Sequence, residues 1–133
     1  MDVNLIQKYS KELELRTHES HVIDYLSDLG KFQKCNPDIV MDVHRFAGCE
    51  APIYITMVKS VPQELTFEVS SSNLSTLGIA YMMFDILSTC SSEQARSLSF
   101  QDFSLITMYF SVIKKRDLQV ILNATQHLIG KNI

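Results

Sequence analysis

The stretch from Ser71 to Cys90, SSNLSTLGIAYMMFDILSTC, constrains this chain more than any other, because only Asp85 within it carries a charge. Leu74, Leu77, Ile79, Tyr81, Met82, Met83, Phe84, Ile86 and Leu87 are too many to share one stripe of a helix. A helix that is apolar nearly all round has to be covered by neighbours or by a partner. The stretch therefore predicts a buried central helix over 73–90. It is too short and too interrupted to span a membrane, which takes roughly 18 or more consecutive apolar residues, and no other run is longer.

The elements before it follow from periodicity. Residues 2–16 predict an amphipathic helix with Leu5, Ile6, Tyr9 and Leu13 on one side and Lys8–Glu12 and Glu12–Arg16 pairs on the other. Thr17 is placed either to cap a second helix or to kink one longer helix. That second helix points Val22, Tyr25, Leu26 and Leu29 inward, with Gly30 as its left-handed stop. Asn36-Pro37-Asp38 reads as a helix start, followed by Ile39, Val40, Val43, Phe46 and Ala47 at helical spacing until Gly48. Ile39, Met41 and Val43 also alternate as a strand would, but start, period and stop agree on a helix over 37–47.

From Pro52 the period changes to two. Ile53, Ile55 and Met57, then Leu65, Phe67 and Val69, form the inward sides of a β-hairpin, with Glu64, Thr66 and Glu68 outward. After the central helix, Ser91-x-x-Gln94 and Ser99-x-x-Asp102 are capping boxes that start two further helices. The second carries Phe103, Ile106, Tyr109, Phe110 and Ile113 and ends in Lys114-Lys115-Arg116, cations at the carbonyl end. Asp117 then caps a last helix through Leu118, Ile121, Leu122 and Ile129, closed by Gly130. The expected fold is α+β and mostly α: one domain over residues 1–133, a central buried helix, and a hairpin inserted between N-terminal and C-terminal helices.

Chemistry is harder to find. The four glycines, at 30, 48, 78 and 130, form no phosphate cradle, and there is no GxSxG elbow. His18, His21 and Asp24 with Glu14 fall near one helix face, and Cys35, His44 and Cys49 with His21 make a second set. Helical spacing alone is a weak filter for the first set, and the second matches none of the standard structural zinc patterns, so solvated or idle side chains are expected, with no metal and no cofactor. Asp85 stands out as a carboxylate in an apolar helix, which has to be paired, hydrogen-bonded or placed on a solvated strip. Met82, Met83 and Met108 are either an adaptable binding surface or ordinary core.

Charge narrows the function classes. The chain carries a net −3, divided as −4 over residues 1–70 and +1 over 71–133. That balance speaks against a general grip on nucleic acid and in favour of a basic partner for the first half. Three cysteines without a CxxC suit a reducing compartment, and Asp2, Lys8, Lys11, Glu12 and Glu14 interrupt any signal-peptide core, so a cytoplasmic address is expected.

The reading that follows is a small protein-binding module, not an enzyme. It would serve as an adaptor, chaperone-like holder or inhibitor- or immunity-type regulator, as a homodimer or with another protein. Its surface is expected at Tyr81, Met82, Phe84, Asp85, Phe103, Met108, Tyr109 and Phe110. One alternative is a transcriptional regulator with a helix–hairpin order similar to a winged helix. Its reading element, 37–47, carries Asp38 and Asp42 against Arg45 alone. Another is an enzyme without a recognisable motif, built on Asp85 or His127.

Overall fold

A computed structural model describes residues 1–16, 18–49, 51–59 and 65–131. The order is α1 (Val3–Glu14), α2 (Glu19–Phe32), 3-10 turns at Pro37–Ile39 and Asp42–His44, β1 (Arg45–Phe46), β2 (Ile53–Lys59), β3 (Thr66–Ser71), α3 (Leu74–Leu87), α4 (Ser92–Ser97), a 3-10 turn at Phe100–Phe103, α5 (Ser104–Thr107) and α6 (Val112–Lys131). The fold is thus α+β and mostly helical, with the sheet between the first two helices and the last four. No helix among the described residues is long and apolar enough to cross a membrane.

α3 is the predicted central helix. Asn73 caps it, its side-chain oxygen accepting from the Thr76 amide at 3.1 Å. Leu77, Ile79, Ala80, Met82, Met83, Ile86 and Leu87 are all buried, on more than one side of the helix. Three layers cover it. Helix α2 makes the most extensive contact, β3 covers another side, and α6 a third.

The α2–α3 contact depends on two glycines. Val22, Leu26 and Gly30 form the buried stripe of α2, four residues apart. A methyl group on Gly30 would collide with the Leu74 carbonyl oxygen, and one on Gly78 with the Leu26 carbonyl oxygen, whose Cα is only 3.0 Å away. Backbone therefore packs on backbone. Gly30 is not the helix stop expected from sequence, because α2 runs on to Phe32. Gly130 likewise lies inside α6. The role of Thr17 as cap or kink lies outside the described residues.

The hairpin is present, with Ile53, Ile55, Leu65, Phe67 and Val69 buried and β2 pairing antiparallel to β3 in the register Ile55↔Val69. The expected helix over 37–47 is not. Asn36 and Pro37 do start a helical turn, the Asn36 oxygen accepting from the Asp38 amide at 2.9 Å, but it ends at Ile39. Of the apolar positions expected on that helix only Ile39 is buried and Phe46 half-buried, while Val40, Val43 and Ala47 are exposed, and short helices are not held by propensity alone. Arg45 and Phe46 instead pair with Tyr54 and Ile53 as a third strand, in the sheet order β1-β2-β3.

Both capping boxes form, at Ser91/Gln94 and Ser99/Asp102. The helix expected to start at the Ser99 box and end in Lys114-Lys115-Arg116 is broken, however, opening with the 3-10 turn. It stops at Thr107, and α6 starts anew behind Ser111, whose hydroxyl accepts from the Lys114 amide at 3.3 Å. Lys114, Lys115 and Arg116 therefore sit in the amide end of a helix, where the dipole disfavours them. Asp117 is not a cap but a fully buried residue of the second turn, 3.3 Å from the Lys114 ammonium.

Two stability outcomes follow. Gly30→Ala and Gly78→Ala each force the α2–α3 crossing apart and are expected to cost about 3 kcal/mol or more, whereas Gly130→Ala, which would meet only the Arg96 side chain at ordinary contact distance, stabilises α6 by about 0.5 kcal/mol. Removing only the cation, by Lys114→Met, leaves Asp117 as a buried charge without its neighbour and should cost about 3–5 kcal/mol; Lys114→Met combined with Asp117→Leu should recover most of it. Urea unfolding of the five proteins reads all of these values.

Candidate functional site

Beyond Leu74, exposed at its start, the part of α3 that its neighbours leave half open is one strip, Tyr81, Phe84 and Asp85, spaced three and four residues apart and so on one face. Four side chains flank it, Phe32 and Tyr25 at least partly open and Tyr9 and Phe67 buried beneath its edge. Phe32, the last residue of α2 and 74% exposed, lies with its ring centroid 6.5 Å from that of Tyr81. The Phe84 ring stacks on Phe67 of β3 at 5.2 Å. From α1 the Tyr9 hydroxyl donates to Asp85 Oδ2 at 2.6 Å. Tyr25 of α2 completes the set, with the Arg16 guanidinium 4.3 Å from its ring centre and 3.3 Å from the Glu12 carboxylate.

Burial raises the pKa of the Tyr9 phenol strongly, and the Asp85 carboxylate that accepts its hydrogen bond adds to the rise. Tyr25 is pushed up to about 12, by burial first and by Glu12 second, against the opposing pull of Arg16. Asp85 is therefore neither an isolated buried acid nor part of a packed core. It is the hydrogen-bonded end of an aromatic strip. Beside the strip, Gln33, Lys34, Cys35, Asn36, Phe67 and Glu68 line a cleft of about 400 Å³.

The other residues expected at the surface divide differently. Met82, Phe103 and Phe110 are buried and belong to the core, so they have no surface to offer a partner. Met108 is 64% exposed and Tyr109 half-buried; they border a separate cleft of about 320 Å³ with Arg16 and His18, between α1 and the start of α6. Phe32 and Tyr25, and the buried Tyr9 and Phe67 that support the strip, were not singled out by sequence as part of it. The seven-residue spacing of Tyr25 and Phe32 along α2 was the available signal for two of them.

The second polar constellation joins the amide ends of α3 and α6. Lys114 Nζ donates to Ser75 Oγ at 2.6 Å, Ser75 Oγ donates to Asn73 Oδ1 at 2.7 Å, and Thr76 Oγ1 donates to Asp117 Oδ2 at 3.1 Å. The Cys49 thiol is hydrogen-bonded to Asp117 and pushed up to about 12, by burial first and then by the carboxylate, with Lys114 opposing. Such a thiol is a poor nucleophile. With a carboxylate at 3.3 Å, Lys114 serves Ser75 as a donor and not as an acceptor for its proton. Ser75, Thr76, Lys114 and Asp117 are all buried, as befits a joint between two helices.

Neither proposed metal set assembles: among the described residues no three His, Cys, Asp or Glu side chains converge. His18 and His21 contact each other edge to face at 5.3 Å. His127 is exposed, its ring against Phe46, at the rim of a cleft of about 360 Å³ that Asn123 and Val120 also line.

No protein-family model and no curated protein matches this chain. Its fold resembles the solution structure of a hypothetical protein from Thermus thermophilus, with a TM-score of 0.65 at 14% sequence identity over 96% of this chain and 94% of that one. The likeness is one of fold.

Tyr9, Tyr25 and Cys49 all hold their protons more tightly folded than unfolded. The native state therefore binds more protons above the ordinary cysteine and tyrosine pKa values, and stability falls as pH rises from about 9 towards 12. Thermal unfolding followed from about pH 7.5 upwards, below the ordinary range of both groups, should show the loss. Tyr9→Phe and Cys49→Ser should each flatten it.

Proposed function

We propose that this chain acts by binding another protein through the strip formed by Tyr81, Phe84 and Asp85 of α3 with Phe32 of α2. The observation that carries the reading is that a helix buried along its length, apart from Leu74 at its start, leaves two aromatic rings half open there, and that a third, Phe32, stands out beside them. Aromatic residues supply large contact area at small entropic cost, which is why they anchor protein interfaces. The reading as a binding module instead of an enzyme draws support from the chemistry of the polar joint, where the thiol is suppressed and the lysine is committed to an ion pair. A cytoplasmic setting agrees with three unpaired cysteines. Adaptor, holder and inhibitor are the roles that such a surface serves, with a second copy of the chain or a different protein as the occupant.

Affinity capture from the native cell, with the mass of the intact complex measured, tests this. Phe32→Glu, at a position 74% exposed, should leave folding stability within about 0.5 kcal/mol and abolish retention of the partner. Val43→Glu, at a site 77% exposed on the 3-10 turn before β1, should retain it. Capture unaffected by Phe32→Glu removes the strip from the interface.

A further inference from the structure

Two carboxylates, one on the aromatic strip and one in the cleft beside it, specify by their surroundings what should cover this surface; the inference rests on the reading of the strip as a protein-binding surface. Asp85 continues the Tyr81–Phe84 face; Glu68, whose side chain leaves β3 on the other side from Phe67, lines the adjoining 400 Å³ cleft that Phe67 and Gln33 also border. Both are half-buried. Each is held by a neutral donor, the Tyr9 hydroxyl on Asp85 and the Asn36 amide on Glu68. Among the described residues neither has a Lys, Arg or His at ion-pairing distance.

The cations nearby are engaged or solvated. Arg16 is paired with Glu12 and covers Tyr25, Lys31 is paired with Asp28, and Lys8 lies over the Tyr9 ring at 5.8 Å. Lys34 is exposed where the 400 Å³ cleft opens. A partly desolvated carboxylate without a counter-ion gains when an incoming surface brings one, and more so as that surface excludes the remaining water. The open faces of Phe32, Tyr81 and Phe84 attract the same kind of group, since an aromatic face is electron-rich. The −4 balance of residues 1–70, which contribute α1, α2 and most of β3, adds a long-range pull of the same sign.

We propose that the strip binds a basic and apolar segment of a partner protein, whose apolar side chains cover Phe32, Tyr81 and Phe84 while its cationic side chains pair with Asp85 and Glu68. Arginine suits both tasks better than lysine, because its planar guanidinium stacks on rings and bonds a carboxylate with two N–H groups.

Three short helical peptides that share one apolar face and carry Arg, Gln or Glu at the remaining positions test the proposal by fluorescence anisotropy against the full chain, at low and at physiological salt. The Arg peptide should bind about tenfold tighter than the Gln peptide, weaken with added salt, and fall to the level of the Gln peptide in the double variant Asp85→Asn, Glu68→Gln, which retains both hydrogen bonds. Equal binding of the Arg and Gln peptides, lost in Phe32→Glu, overturns the cationic preference but leaves the strip as an interface. Preference for the Glu peptide does the same. A dimer of the chain that Phe32→Glu abolishes and the double variant leaves intact assigns the strip to a second copy and overturns the proposal. Binding of no peptide, by a chain that is monomeric throughout, overturns both the proposal and the interface it rests on.

Discussion

Backbone contact between α2 and α3 is the constraint on which the rest of this structure depends. Helices usually pack with axes about 8–10 Å apart because side chains stand between them. Here Gly30 and Gly78 remove those side chains, and each faces a carbonyl of the other helix. Close approach brings many atoms into dispersion contact, and it also fixes the rotation of α3 about its own axis, since only the faces holding the glycines can meet. With that rotation set, Ile79, Met82, Met83 and Ile86 turn into the core while Tyr81, Phe84 and Asp85 turn towards α1, the end of α2 and β3. The open strip is thus a consequence of the glycine crossing.

A second joint holds the amide ends of α3 and α6 together. Burying Lys114 and Asp117 costs desolvation, which their mutual attraction and the hydroxyls of Ser75 and Thr76 offset. The arrangement also answers the misplaced basic run. Lysines at a helix amide end are unfavourable by dipole, but Asp117 one turn on supplies the compensating charge to Lys114, while Lys115 and Arg116 remain exposed. At the far side of α6, the Gln126 amide donates to the Ala95 and Leu98 carbonyls at 3.1 and 2.7 Å, satisfying the end of α4. Both ends of the last helix are therefore tied by polar side chains in an otherwise apolar packing.

The candidate site was partly legible. Tyr81, Phe84 and Asp85 could be named from sequence because an all-apolar helix needs cover and Asp85 needs a wet or polar neighbour. Met82, Phe103 and Phe110 were named for the same apolar character, yet hydrophobicity alone does not say which residues of such a helix face inward, and these do. The flanking Tyr9, Tyr25, Phe32 and Phe67 come from three other elements, and no pattern within one segment reports a meeting of four. The buried Lys114–Asp117 pair was misread as a helix end followed by a cap, because both residue types are equally common at termini.

What the sequence by itself determined were the features whose causes lie within a few residues. The boxes at Ser91 and Ser99, the alternation of β2 and β3 and the stripe of α1 all act over one turn or one strand pair, and all are present. Only the tertiary structure decided the rest. Residues 37–47 carried a valid helix start and apolar residues at helical spacing, but neighbours cover only Ile39 and part of Phe46, and the backbone of Arg45 and Phe46 found its hydrogen bonds on β2 instead. Gly30 looked like a stop signal, and became a contact point, because what matters at that position is the Leu74 carbonyl on another helix, 44 residues away in the chain and adjacent in space.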